Sequence, residues 1–126
     1  MIEKLFSSPT YDASKRLLDI SLKRHEALSL NLANVESPGY KRVDLPKDFQ
    51  NALRQAIQGG TGGGVAVPEL VQDLDSAAQR KDGNNVVLQD ELLAMNKNAA
   101  EYEVLTEFVS GSMKTLKMAI LGHAQT

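Results

Sequence analysis

The side chains able to do chemistry are few and scattered. His25 and His123 are the only histidines in the 126 residues and lie near opposite ends of the sequence. A tetrahedral zinc site needs more ligands than they offer. There is no cysteine, which removes disulfides, thiolate metal sites and cysteine nucleophiles together. Asp73, Asp75 and Asp82 lack the spacing of a calcium-binding loop and its closing Glu, so a solvated loop is the better account. The run Gly59–Gly64 holds five of the nine glycines. A phosphate loop would continue with Gly-Lys-Ser/Thr, whereas Gly64 is followed by Val65, so the run reads as a flexible break. No Ser–His–Asp arrangement is legible. The expectation is a chain that is not an enzyme and has no cofactor or metal.

The elements then have to supply the function. Hydrophobic residues make up 42%, aromatic residues only 5%, and there is no Trp. An aliphatic, Met-containing core suits helices better than a β-sandwich. Fourteen basic and sixteen acidic side chains give a formal charge of -2, without the basic excess of a nucleic-acid binder. The first residues lack the charged start and apolar run of a secretory signal. No stretch approaches the roughly 20 apolar residues of a membrane span. Taken alone, these features point to the cytoplasm.

A single domain over 1–126 is expected, in three parts. A first helix over 8–36 opens at Ser8-Pro9, a capping side chain followed by Pro at the first helical position. Its apolar stripe is Leu18, Leu22, Leu28, Leu32 and Val35, and His25 falls near that stripe, at a helix interface. Pro38-Gly39 ends it in a type II turn with Gly39 at positive φ. The middle, 37–87, holds that turn, an extended stretch to Pro46, a short helix around Phe49–Ile57, the glycine-rich loop and short extended pieces. Asp82-Gly83-Asn84-Asn85 is a further turn.

The last helix, 88–121, carries the clearest pattern. Leu92, Met95, Ala99, Tyr102, Thr106, Val109, Met113, Leu116 and Ile120 recur at alternating threes and fours, a heptad seam. Met95, Met113 and Met118 read as core filler. Gly111 costs about 1 kcal/mol relative to Ala, which a close helix–helix approach or a slight kink there would explain. The fold class is therefore all-α dominated, with long N- and C-terminal helices forming an antiparallel coiled-coil-like pair around an irregular middle. A seam this long leaves apolar surface beyond what one partner helix covers, and that favours assembly.

Two stretches carry a resemblance. Asn31-Leu32-Ala33-Asn34-Val35-Glu36-Ser37-Pro38-Gly39-Tyr40-Lys41 resembles the N-terminal signature of the flagellar rod and hook axial proteins, with Ser37 where Thr is commoner. Asp82-Gly83-Asn84-Asn85-Val86 and the helix after it look like that family's C-terminal element. Around Tyr102 the sequence lacks the Gln-Arg pair and the trailing Asn usual in distal rod and hook members, which favours the proximal rod. The resemblance covers roughly 8–50 and 82–121. It implies a structural subunit of the flagellar basal body, exported by the flagellar type III apparatus without a cleaved signal and polymerised in the periplasm into a helical tube. That tube would transmit torque and enclose the export channel. The implied partners are further copies of the chain, rod proteins such as FlgC, the adaptor FliE, the MS ring and the export gate. The compartment read from composition is thereby reversed.

The residues expected at the assembly interface are Leu18, Leu22, Leu28, Asn31, Leu32, Asn34, Pro38, Gly39 and Tyr40, together with the nine of the heptad seam. Asn31 and Asn34 are expected to bond neighbouring backbone or an adjacent subunit, and Tyr40 to pack its ring between helices. The competing reading is a soluble helical adaptor or export chaperone that binds one partner through the same seam.

Overall fold

The computed structural model describes residues 9–76 and 80–124, and all of their side chains except those of Leu116, His123 and Ala124. Three helices carry most of the chain. They are α1 (Pro9–Ala33), α2 (Lys47–Gln58) and α3 (Leu88–Ala124). Two short strands, β1 (Val43–Asp44) and β2 (Val71–Gln72), pair antiparallel, with Val43 opposite Gln72 and Asp44 opposite Val71. At 1.5 Å per residue α1 is about 37 Å long and α3 about 55 Å.

α1 starts at the expected Pro9, with Asp12 in its first turn, where a negative charge suits the helix dipole. Ser8 lies outside the described residues. The helix stops at Ala33, short of the expected 36, and the chain continues through turns. Pro38 disfavours helix at Ser37. Gly39 has φ +74° and the Tyr40 N–H donates to the Ser37 carbonyl at 3.3 Å, as the expected turn requires.

The hydrophobic core lies between α1, α2 and the loop after it. Ile20, Leu45 and Leu53 are buried, with Leu17, Phe49, Val65, Val67 and Leu70 packed on them. The Leu stripe read from the sequence is only partly the buried one. Leu28 is buried and Leu18 and Leu32 are half-buried, but Leu22 is 54% exposed. His25 is also exposed, which corrects its expected place in a helix interface. Ile20 and Ala27 take the inner positions, and Leu22 and His25 line an open groove with Ala99 and Tyr102 of α3.

The glycine-rich segment is no loose break. Gly59 closes α2, and Gly62–Gly64 form a 3₁₀ turn laid against α1. A Cβ on Gly62 would sit 2.8 Å from the Ile57 side chain, and one on Gly63 would sit 2.5 Å from Asp12 Cβ. The Gly63 carbonyl accepts from the Arg16 guanidinium at 3.3 and 3.4 Å. These glycines are there for close approach, which composition alone does not distinguish from flexibility.

α3 meets α1 with a different row from the expected seam. The buried or half-buried residues of α3 are Glu91, Ala94, Met95, Asn98, Leu105, Val109, Ser112 and Ala119. All but Ala94 repeat at fours, threes and sevens, but along a stripe rotated to one side. Leu92, Ala99, Thr106, Met113 and Ile120 are exposed. The reason is chemical: Glu91 and Asn98 have buried polar partners on the rest of the chain, and satisfying them turns the helix. Met113 and Met118 are exposed as well, so neither is core filler here. Among the described residues, beyond the helix's own nearby backbone, nothing lies within 4 Å of a Cβ placed on Gly111.

Candidate functional site

The two turns read from the sequence as separate features form one polar knot. Asn31, the most buried polar residue of α1, is its hub. Its amide donates to the Val43 carbonyl at 2.9 Å and to Glu91 Oε2 at 3.2 Å. Its Oδ1 accepts from the Val43 N–H at 2.8 Å and from the Tyr40 hydroxyl at 3.1 Å. Both donors and both acceptor sites are thus used. The Arg42 carbonyl meanwhile accepts from the Asp73 N–H at 2.8 Å. β1 is therefore bonded by β2 on one edge and by the Asn31 amide on the other, and the side chain stands in for a missing strand.

Asn84, equally buried, serves the end of α1. Its amide donates to the carbonyls of Asn34, Val35 and Ser37 at 2.9, 3.1 and 2.9 Å. Chain that turns away from a helix end leaves such carbonyls without intrahelical partners, and Asn84 supplies the donors from a distant segment. Arg80 donates to the Val35 carbonyl as well. The Gly39 N–H donates to the Asp82 carbonyl at 2.8 Å, and Lys41 donates to the Gly83 carbonyl. Gly39 and Gly83 both have positive φ and lie back to back. Asn85 accepts from the Arg42 N–H at 2.7 Å and donates to the Asp73 carbonyl at 2.7 Å, so it bridges the two turns and the sheet.

Arg42 and Glu91 tie this knot to α3. Arg42 Nε donates to Glu91 Oε1 at 2.8 Å, Nη1 donates to Asp73, and Asp44 lies at 3.4 Å. Burial acts against the guanidinium's charge. The Glu91 hydrogen bond and charge, with Asp73 and Asp44, outweigh it, and the proton is held more tightly than usual. Glu91 also sits in the first turn of α3, where the helix dipole favours a negative charge. Burial, then the charge of Glu91, raise the Tyr40 phenol above its ordinary value, against a smaller opposing pull from Arg42. About two turns along α3 from Glu91, Ser21 and Asn98 bond reciprocally across the helices. Ser21 Oγ donates to Asn98 Oδ1 at 3.1 Å, and the Asn98 amide donates to the Ser21 carbonyl at 3.0 Å.

The structure thus brings together Asn31, Tyr40 and Gly39. Asn34 stays local, donating to the Leu30 carbonyl at 2.9 Å and accepting from Ser37 Oγ at 3.1 Å. Tyr40 is half-buried, and its hydroxyl donates to Asn31 of α1. Pro38 and Leu22 are exposed. The expected seam divides into exposed Leu92, Ala99, Tyr102, Thr106, Met113 and Ile120 and half-buried Met95 and Val109, while the Leu116 side chain is outside the description. Sequence reasoning placed Asn84 and Asn85 in a turn without assigning them bonds, and it missed Arg42, Glu91 and Asn98. A signal existed for the last two, because Glu91 and Asn98 are one heptad apart and a count of apolar residues alone passes over them. The three aspartates set aside as calcium ligands are engaged within the chain: Asp73 by Arg42, Asp75 by Lys47 at 2.9 Å, and Asp82 by the Asn84 N–H at 3.0 Å.

No family model matches the chain. Curated proteins do. The chain is similar to the flagellar basal body rod protein FlgB of Aquifex aeolicus, 32% identical over 114 residues that cover 88% of this chain and 92% of that protein. It is similar to FlgB of Aeromonas hydrophila, 34% identical over 119 residues that cover 84% and 88%. The chain belongs to the flagellar basal body rod protein FlgB family. A more distant FlgB, from Bacillus subtilis, is 25% identical over 94% of this chain and 97% of its own length. Both stretches that carried the resemblance to axial proteins lie in the knot of this FlgB-family chain, one on each side of the Asn31–Glu91 and Asn84–Asn34 bonds.

Proposed function

We propose that the chain is a structural subunit of the proximal rod. Its terminal helices run as an antiparallel coiled-coil-like pair and pack against neighbouring copies to build a tube that transmits torque and encloses the export channel. The observation that carries this reading is the set of exposed apolar side chains along α3: Leu92, Met113 and Ile120 share one side of the helix at 46–50% exposure, and Phe108 and Met118 lie on its other sides at 44% and 71%. A solitary chain gains nothing from presenting such a set to water, and surface of this kind marks an interaction site. The polar contacts of α1 with α3 leave that set free for neighbours. Family membership supports a reading in which the chain assembles beside rod proteins such as FlgC, with FliE, the MS ring and the export gate at the base, and is exported without a cleaved signal. No helix among the described residues is long and apolar enough to cross a membrane.

The test is Met113→Asp in a motile cell. The variant accumulates to the wild-type level, is missing from sedimented basal bodies, and the cells do not spread in soft agar. Normal rods and normal spreading with Met113→Asp would remove the reading. A variant confined to the soluble fraction in a one-to-one complex with a single partner, with wild-type chain found there too, would favour the adaptor reading instead.

A further inference from the structure

Beyond Glu101, α3 carries four charges with no ion-pair partner among the described residues: Glu103, Glu107, Lys114 and Lys117. Their order is unfavourable within one chain. Glu103 and Glu107 are four residues apart and Lys114 and Lys117 three apart, spacings at which like charges on a helix repel. At 100° per residue all four fall within an arc of about 80°. Ser110, a small side chain, lies in that arc midway between the acidic and the basic pair. Ala99 and Leu121 lie in it towards the two ends, and exposed Thr106 and Met113 border it.

We propose that this face docks on the same face of a second copy of the chain, helix against antiparallel helix, about a two-fold axis at Ser110. In that register Glu103 meets Lys117 of the second copy and Glu107 meets its Lys114. The two-fold repeats both pairs, so four ion pairs form. Leu121 then lies over Ala99 of the second copy at both ends, and the helix dipoles oppose. A parallel pairing in register sets like charge on like charge. A parallel pairing shifted by ten or eleven residues makes only two of the four bonds. An isologous contact is closed by its symmetry and cannot extend into a tube. The dimer is therefore a reserve form that covers Met113 and Leu121 until assembly. This goes beyond the rod reading and does not rest on it, because a chain that never dimerises could still polymerise.

The experiment is sedimentation velocity on the full chain with four variants. Wild type is expected to show a monomer–dimer equilibrium that weakens as salt rises from about 50 to 500 mM, since exposed pairs are screened. E103K/E107K and K114E/K117E are each expected to dimerise at least about tenfold more weakly. An equimolar mixture of these two, and the fourfold swap E103K/E107K/K114E/K117E alone, regain the dimer. Because the chain has no cysteine, Ser110→Cys gives a single thiol, which forms a disulfide with its own copy under mild oxidation, whereas Asn96→Cys does not. A wild type that stays monomeric overturns the proposal. So do charge variants that dimerise as well as wild type, and Asn96→Cys that cross-links where Ser110→Cys fails. Variants that lose helicity without any change in association assign the four charges to the helix dipole only, and overturn it as well.

Discussion

Asn31 illustrates how one amide can substitute for a strand. Fully enclosed, it has four partners, two of them the N–H and carbonyl of Val43. Removing it strands several buried groups at once, and each unsatisfied group costs about 1–3 kcal/mol. Asn31→Ala is therefore expected to lower the unfolding free energy by about 3 kcal/mol, read as a shift of the urea midpoint followed by circular dichroism. Asn31→Asp should do worse, because it loses both donors and faces Glu91 with a second carboxylate. An unchanged midpoint in Asn31→Ala would show that β1 does not depend on this amide. Tyr40 supplies a pH dependence in the same cluster. Its phenol is raised in the folded chain by burial and by Glu91, so the folded state holds the proton more tightly than the unfolded state does. That contribution is complete below the unfolded value near 10 and is lost as pH rises through the folded one. Unfolding free energy measured from pH 8 to 11 should fall more steeply for wild type than for Tyr40→Phe. Parallel curves would remove the effect.

At the scale of elements, periodicity located the helices and only partly their buried faces. α2 was legible because Phe49, Leu53 and Ile57 repeat at fours, and α3 because its apolar residues never break register. What was not legible is which stripe of α3 turns inward. Apolar counting ranks Leu92 above Glu91, yet Glu91 is buried because Arg42 and Asn31, 49 and 60 residues away, complete its bonds. Local sequence does not encode a partner that distant. The glycine run failed for the opposite reason, since one composition serves both flexibility and close approach. A matched pair of substitutions separates the two. Gly63→Ala drives a Cβ to 2.5 Å from Asp12 Cβ, an overpacking worth about 1–3 kcal/mol. Gly64→Ala meets nothing within 4 Å, and by restricting the unfolded chain it should be neutral or stabilising by up to about 1 kcal/mol. Equal urea midpoints for the two variants would return the segment to a loose loop.

The whole molecule divides unequally between stability and assembly. The core of Ile20, Leu45 and Leu53 and the polar knot involve α3 only near its start, and the last described side-chain bond from α3 to α1 is Arg24–Glu101 at 3.5 Å. Beyond it α3 runs on for about 35 Å, presenting Val104, Phe108, Met113, Met118, Ile120 and Leu121 largely exposed. The side-chain bonds of α1 with α3 are Asn31–Glu91, Ser21–Asn98 and Arg24–Glu101, and such bonds gain little net free energy in water. The body is thus built to hold the start of α3 in a fixed direction, while the remainder is held by whatever packs on it. A chain ending at Glu103 tests this division. Its urea unfolding free energy should change by about 1 kcal/mol or less, the scale of changes away from the core, and its far-ultraviolet signal should fall only by the helix removed. In cells it should accumulate and yet be absent from sedimented basal bodies. Collapse of the truncated chain to an unfolded state would mean that distal α3 belongs to the body after all, and that the exposed set contributes to folding before it contributes to assembly.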